Sequence, residues 1–371
     1  MNIPLFIANP VPGQRLILRA FLAASLFVVS HATALRAAPV LDAREQCGAA
    51  IVPDANVAYF SDRAAVRSSA IYRAARSRAA ELKPDDFKPD TAAKREQMKP
   101  FLELMRNHCT LALATGAVRN FDTTGKPDAK KTPFLAAFAF DNALTPADVN
   151  DLVTKAGKPA LTVGDHAGYP VLTDKSQQDG PPIGIALASA AGSSATTVLI
   201  GPIEFLHPAL DRLQSGQVPS VNELPGRATA SIDPAALSWL YIAPPAAVVS
   251  KMMSGPKPQA AQGENTAMSA AWNALASLNG IGLSIVYGDT MKLRLQAGFG
   301  STTDADAVRT FLENMAIPAM KIGAANKMPK IPGAVERLRS ESSGTNAILS
   351  TFLDAADLNQ LPPEALAIFS W

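Results

Sequence analysis

Short apolar runs alternate with amphipathic stretches along most of this chain. Val57–Ser61 (VAYFS) reads as a strand, and Ile71, Ala75, Ala79 and Leu82 then recur at helical spacing. Met98, Phe101, Leu102 and Met105 lie at i, i+3, i+4 and i+7 and mark a second helix. Thr110–Ala117 and Phe134–Phe140 are apolar strand runs. Thr145 is then placed to cap a helix with Pro146 in its first position, Asp148 in its first turn and Gly157 at its stop. Val149, Leu152, Val153 and Ala156 form the apolar face of that helix. Hairpins are expected around Asp165–Gly168 and Gly192–Ser194, followed by a helix carrying Phe205, Ala209, Leu210 and Leu213.

The second half follows a similar plan. Leu237–Ala243 reads as a strand and Ala267–Leu278 as a helix. Ile281–Val286 and Met291–Phe299 make a hairpin across Gly288-Asp289. Thr303-Asp304-Ala305-Asp306 opens a helix that turns Val308, Phe311, Leu312 and Met315 inward. It matches Thr145-Pro146-Ala147-Asp148, since both read T-x-A-D after a strand. Ala356-Asp357-Leu358 follows the strand Ala347–Phe352 and echoes Ala147-Asp148-Val149. T-x-A-D is also generic capping chemistry, so the repeat reading rests on its position after a strand each time. The Pro/Gly break at Leu224-Pro225-Gly226 sets the expected boundary between a first half, residues 35–225, and a second, residues 226–371. The expected fold class is α+β, with two similar halves of antiparallel sheet and helices packed on one face of each.

Val52-Pro53-Asp54-Ala55 introduces the first strand much as Ile232-Asp233-Pro234-Ala235 introduces the Leu237 strand. Together with the run LTVGDHAGYPVLTD at residues 161–174, this phrasing resembles bacterial secreted proteins of unknown function built from tandem α+β repeats. The resemblance spans most of the chain after its first 34 residues, implies that fold, and carries over no catalytic residue.

The N-terminus changes the picture of where the protein works. Arg15 and Arg19 precede an uncharged apolar run, Ala20–Ser30, and the small residues Ala32-Thr33-Ala34. That order is a signal peptide over residues 1–34 with cleavage before Leu35, which implies a periplasmic or secreted protein. An uncleaved anchor is the competing reading, but crossing a bilayer takes roughly 20 apolar residues. No later segment is apolar enough to span a membrane. Removing the two arginines leaves the chain formally neutral, and this argues against a nucleic-acid partner. Charge is uneven, with 15 Lys/Arg against 9 Asp/Glu between Asp62 and Lys131. The two cysteines, Cys47 and Cys109, suggest one structural disulfide in an oxidising compartment, two free buried thiols being the alternative.

Candidate chemistry is sparse. Three histidines follow the targeting segment, His108, His166 and His207, and none stands in an H-x-x-x-H or H-E-x-x-H pattern, so no metal site is expected. There is no G-x-S-x-G elbow, and Ser193-Ser194 fit a turn. Neither a phosphate loop nor a dinucleotide fingerprint is present, and no cofactor is expected. Asp165 and His166, in a Gly-flanked loop, are the remaining catalytic candidates, and a polar hairpin tip accounts for them equally. The expected function is binding or scaffolding in the cell envelope, through helix-free sheet faces, of a partner protein or an apolar ligand. The alternative is an envelope hydrolase whose nucleophile would meet His166 and a second carboxylate.

Overall fold

The computed structural model describes residues 41–82, 89–118, 132–174, 181–189, 194–224, 231–254, 266–327, 332–361 and 366. The expected targeting segment, Pro225-Gly226 and Ser193 lie outside the described residues. Twelve strands are present among the described residues. The first seven are β1 (Val57–Asp62), β2 (Cys109–Gly116), β3 (Phe134–Phe140), β4 (Thr162–His166), β5 (Tyr169–Thr173), β6 (Ile183–Ala188) and β7 (Thr196–Pro202). The rest are β8 (Ser238–Ile242), β9 (Gly280–Tyr287), β10 (Met291–Gly298), β11 (Arg339–Ser343) and β12 (Asn346–Leu353).

The chain forms two compact units. The described residues up to 55 and within 94–221 make one, and those within 56–93 and from 222 onward make the other. The segment carrying β1 therefore goes with the second unit, because β1 pairs antiparallel with β8 from Val57 opposite Ile242 to Ser61 opposite Ser238. The two strands introduced by similar phrases are thus neighbours in one sheet. Both units are α+β with antiparallel pairing throughout the described ladders.

In the first unit the strand order is β2-β3-β7-β6-β5-β4. β3 and β7 are apolar on both faces, and nearly every residue in them is buried. Strands of that kind need cover on both sides. Phe101, Leu104 and Met105 of the helix Pro89–Asn107, with Val149 and Leu152 of the helix Pro146–Lys155, line a small apolar void with Phe138, Phe140, Val198 and Ile200. Side chains alternate along a strand, so Leu199 and Gly201 face the other way. On that opposite face the helix Ile203–Ser215 lies close enough that a Cβ on Gly184 would meet Ile203 and Leu206. The expectation of helices on one face fails in this unit. The two-sided apolarity of the LAAFAF and TTVLIG runs is the cause.

The N-terminal segment completes this core. Asp42 caps the short helix Ala43–Cys47 in a capping box with Glu45. Arg212 ties down the chain that follows by donating to Ala49 O at 2.7 Å and Ile51 O at 3.3 Å. Thr115 donates to Ala50 O at 2.6 Å and accepts from Val52 N at 2.9 Å.

Cys47 and Cys109 are both fully buried and are not joined in the expected bridge. The Cys109 thiol is engaged with Leu111 O at 3.4 Å. Burial first, then the neighbouring Cys109 and Asp42, push the Cys47 thiol far above its ordinary range. Little reactive thiolate is available in such a site. Iodoacetamide should leave both cysteines unmodified in the native protein and label both once denaturant is added. Intact mass would show this. Labelling of the native protein within minutes would contradict the burial, and no labelling after unfolding without reductant would reveal a bridge.

In the second unit the order is β11-β12-β10-β9-β8-β1. One face carries Phe60 stacked on Trp239 at 5.7 Å between ring centroids, both buried. Ser231 and Ile232 cross the same face so closely that β9 has no room for a side chain at Gly282. On the other face, Ile71 and Ala75 of the helix Ala70–Ala80 pack with Met291, Leu353 and Leu358. Toward the opposite end of β10, Ala274, Phe299 and Ala305 pack with Ala347. The helix that follows β10 begins at Thr302 with Ser301 as its cap, and Ser301 accepts from Asp304 N. Its register against Thr145/Asp148 is therefore Ser301/Asp304, two residues earlier than the T-x-A-D match. Asp354 and Asp357 form the corresponding box after β12.

Candidate functional site

The sequence candidates Asp165 and His166 close β4 next to a two-residue turn, with Ala167 and Gly168 both at positive φ. This is the backbone that matches the twist of a tight hairpin. Glycine adopts it freely, and alanine does so only at some cost. Asp165 Oδ1 accepts from Gly168 N at 3.2 Å, so this carboxylate is engaged in the turn.

His166 is not an isolated tip residue. Leu206, Ala209, Leu210 and Leu213 form the buried stripe of the helix Ile203–Ser215. His207 and Asp211, one turn apart, lie beside that stripe. His166 Nε2 and Asp211 Oδ1 are 2.9 Å apart. The His166 and His207 rings stack at 3.9 Å between centroids with an interplanar angle of 6°. Burial, then the neighbouring His166, hold His207 below the ordinary imidazole range, and Asp211 opposes them. Burial also raises the Tyr169 phenol across the hairpin from His166. His207 borders an open groove with Asp165, Asp174, Val171, Thr173 and Ile203.

Chemically this is half of a hydrolytic arrangement. His166 has its carboxylate partner, but among the described residues no serine hydroxyl bonds to it. His108 lies elsewhere, 2.9 Å from Asp141 on the surface. Among the described residues no group of three or more His, Cys, Asp or Glu is arranged to hold a metal ion. The spacing His207-x-x-x-Asp211 was the signal in sequence for one half of the cluster. Its meeting with His166 depends on where the hairpin folds back.

A second feature lies in the second unit. Alternation puts Leu240, Ile242, Ile281, Leu283, Leu293, Leu295, Ala297 and Leu349 on one sheet face. Ile242 pairs with Ile281, and Leu295 pairs with both Leu283 and Leu349. The helices described above cover the two ends of β10 on this face. Between them Ile242, Ile281 and Leu295 remain 40%, 37% and 42% exposed. Met320 and Ile322, on the helix Ile317–Lys327, are exposed aliphatics of the same unit. Among the described residues no helix is long and apolar enough to cross a membrane.

No family model, no curated protein and no solved structure matches this chain.

Proposed function

We propose that the protein is exported to the cell envelope, periplasmic or secreted, and acts there by binding a partner protein rather than by catalysis. The observation that carries this reading is the set of in-register aliphatics on β8, β9 and β10, about two-fifths exposed on one sheet face. Isolated exposed leucines are ordinary, but a contiguous apolar surface on neighbouring strands marks an interaction site. A sheet face is flat, and a flat apolar surface suits a protein partner, whereas small apolar ligands favour concave sites. The export part of the reading rests on the N-terminal charge, apolar run and A-x-A pattern. The two units are further proposed to be related halves. Among the described residues each has six antiparallel strands, and cap-and-Asp helix starts follow β3, β10 and β12.

Native mass spectrometry of the protein purified from its own compartment tests the binding surface. The wild-type protein should carry a protein-sized additional mass that the Ile281→Lys/Leu295→Lys variant lacks, with Asp165→Asn and His166→Gln retaining it. A bound mass of a few hundred daltons would replace the protein partner by an apolar ligand. Equal binding by wild type and the double lysine variant would sink this surface as the site. The hydrolase reading has the His166–Asp211 pair in its favour and lacks a nucleophile among the described residues.

A further inference from the structure

The β4–β5 hairpin is weakly held at its tip. Four of the five residues of β4 are exposed, and β5 meets β6 only at Val171, Leu172 and Thr173. Beyond Val171 the hairpin projects past that ladder. There, among the described residues, His166 ties it to the rest of its unit through His207 and Asp211 of the helix Ile203–Ser215. We propose that the His166–His207 stack, tied to Asp211, is an acid-sensitive latch that fastens the hairpin tip to this helix and releases it when both imidazoles are protonated.

The charges around the stack set how it responds. On the hairpin these are Asp165, Asp174 and the Tyr169 phenol. On the helix they are Glu204, Asp211 and Arg212, and the Arg212 guanidinium is turned away to the carbonyls of Ala49 and Ile51. One proton on the pair is accommodated, because His166 lies 2.9 Å from the Asp211 carboxylate. A second proton places two like charges in rings 3.9 Å apart and face to face, with one carboxylate between them to offset both. Edge-on or splayed arrangements relieve that repulsion, and either one lifts His166 off the helix. The depressed basicity of His207 agrees with this. For a group of that kind, the stabilisation is fully present above the ordinary imidazole pKa of about 6.5. It is lost as pH falls through the lower folded value. The latch is therefore closed at neutral pH and opens in acid, below the ordinary imidazole pKa of about 6.5. Its opening would widen the groove that Asp165, Val171 and His207 line. This device is independent of what binds the second unit.

Amide hydrogen exchange on the full chain, corrected for intrinsic rates, tests it at pH of about 7.5 and about 4.5, on either side of the imidazole range. Exchange at Gly164, His166 and Val171, whose amides face across the β4–β5 ladder, should rise at least about tenfold on acidification, while amides of β7 stay unchanged. His207→Phe keeps an aromatic partner and removes the second charge, so its hairpin should exchange equally at both pH values. His207→Gln, which loses the stack as well, should leave the hairpin open at both. Equal wild-type protection at the two pH values would overturn the latch. So would a His207→Phe protein that still opens in acid.

Discussion

Arg337→Met is expected to unfold the second unit at markedly lower denaturant concentration than the wild type. The Arg337 guanidinium contacts Asp357, donates to Phe352 O at 3.0 and 3.2 Å, and lies 3.5 Å from Asp354. It also sits over the Phe352 ring, 4.2 Å from the centroid. The Asp357 side chain is only 3% exposed. Beyond Arg337 it accepts from Asp354 N at 2.8 Å. Methionine fills similar volume but leaves that buried carboxylate without its cation. Breaking a buried pair from one side costs about 3–5 kcal/mol. For a domain of this size each kcal/mol lowers Tm by about 2–4 °C. The double variant Arg337→Met/Asp357→Leu removes the stranded charge as well, and should recover much of the loss, although the box that caps the last described helix goes with it. Urea titrations of the three proteins decide the matter. If Arg337→Met matched wild type, the pair would be contributing nothing to the fold.

Gly282→Ala should be nearly as damaging, for a different reason. A Cβ at this position in β9 would stand 2.0 Å from Ser231 O and 2.8 Å from Ile232 Cδ1. The first obstacle is backbone, so no rotamer change relieves it. Either β9 leaves its register with β8 and β10 or the 231–236 segment lifts away. Lifting it would strain Asp233 N donating to Ser284 Oγ at 2.9 Å and the Arg294–Asp233 ion pair at 3.5 Å. Overpacking of this kind costs about 1–3 kcal/mol or more. Gly288→Ala is the control, since the nearest atom to its Cβ is a carbonyl oxygen at 4.0 Å. Thermal unfolding of the two variants should separate them by several degrees, and equal Tm values would show that the crossing segment yields freely.

The elements themselves were legible in the sequence because each carries its own local signal. Phe134–Phe140 is a strand of the expected length, and the Met291 hairpin turns where Gly288-Asp289 stands. The helix cap at Thr145 works through Asp148 as the pattern implies, with Thr145 N donating to Asp148 Oδ2 at 2.9 Å. At the equivalent point in the second unit two hydroxyl residues competed. Ser301 captured the Asp304 amide, so Thr303 lies inside the helix. Local chemistry of that kind cannot be ranked without the strand end that aims the chain.

What pairs with what was less legible. Nothing within VAYFS specifies that its partner is SWLYI, because the choice is made by burial of Phe60 and Trp239 together on one face. The cover on both faces of the first sheet was foreshadowed by the lack of alternation in β3 and β7. His207 and Asp211 were readable as neighbours on a helix. Their contact with His166, 45 residues from Asp211 in the chain, was not. The exposed aliphatics on β8, β9 and β10 were invisible for the opposite reason. Each sits in a run that looks like ordinary core, and only the arrangement of helices leaves them uncovered.

The pairing of β1 with β8 also dictates an order of events during synthesis. Ser61 meets Ser238, hydroxyl to hydroxyl at 2.7 Å, across a separation of 177 residues. At about 5–20 residues per second, the first strand waits roughly 10–35 s after it emerges before its partner exists. Throughout that interval VAYFS lacks its β8 partner, and that edge is open to wrong ones. The residues made in between include every described strand of the first unit, and these pair with one another. That unit can therefore close first, and the second unit assembles around a segment kept waiting. The newborn chain is most vulnerable to aggregation, and most in need of a holding chaperone, in its earliest stretch.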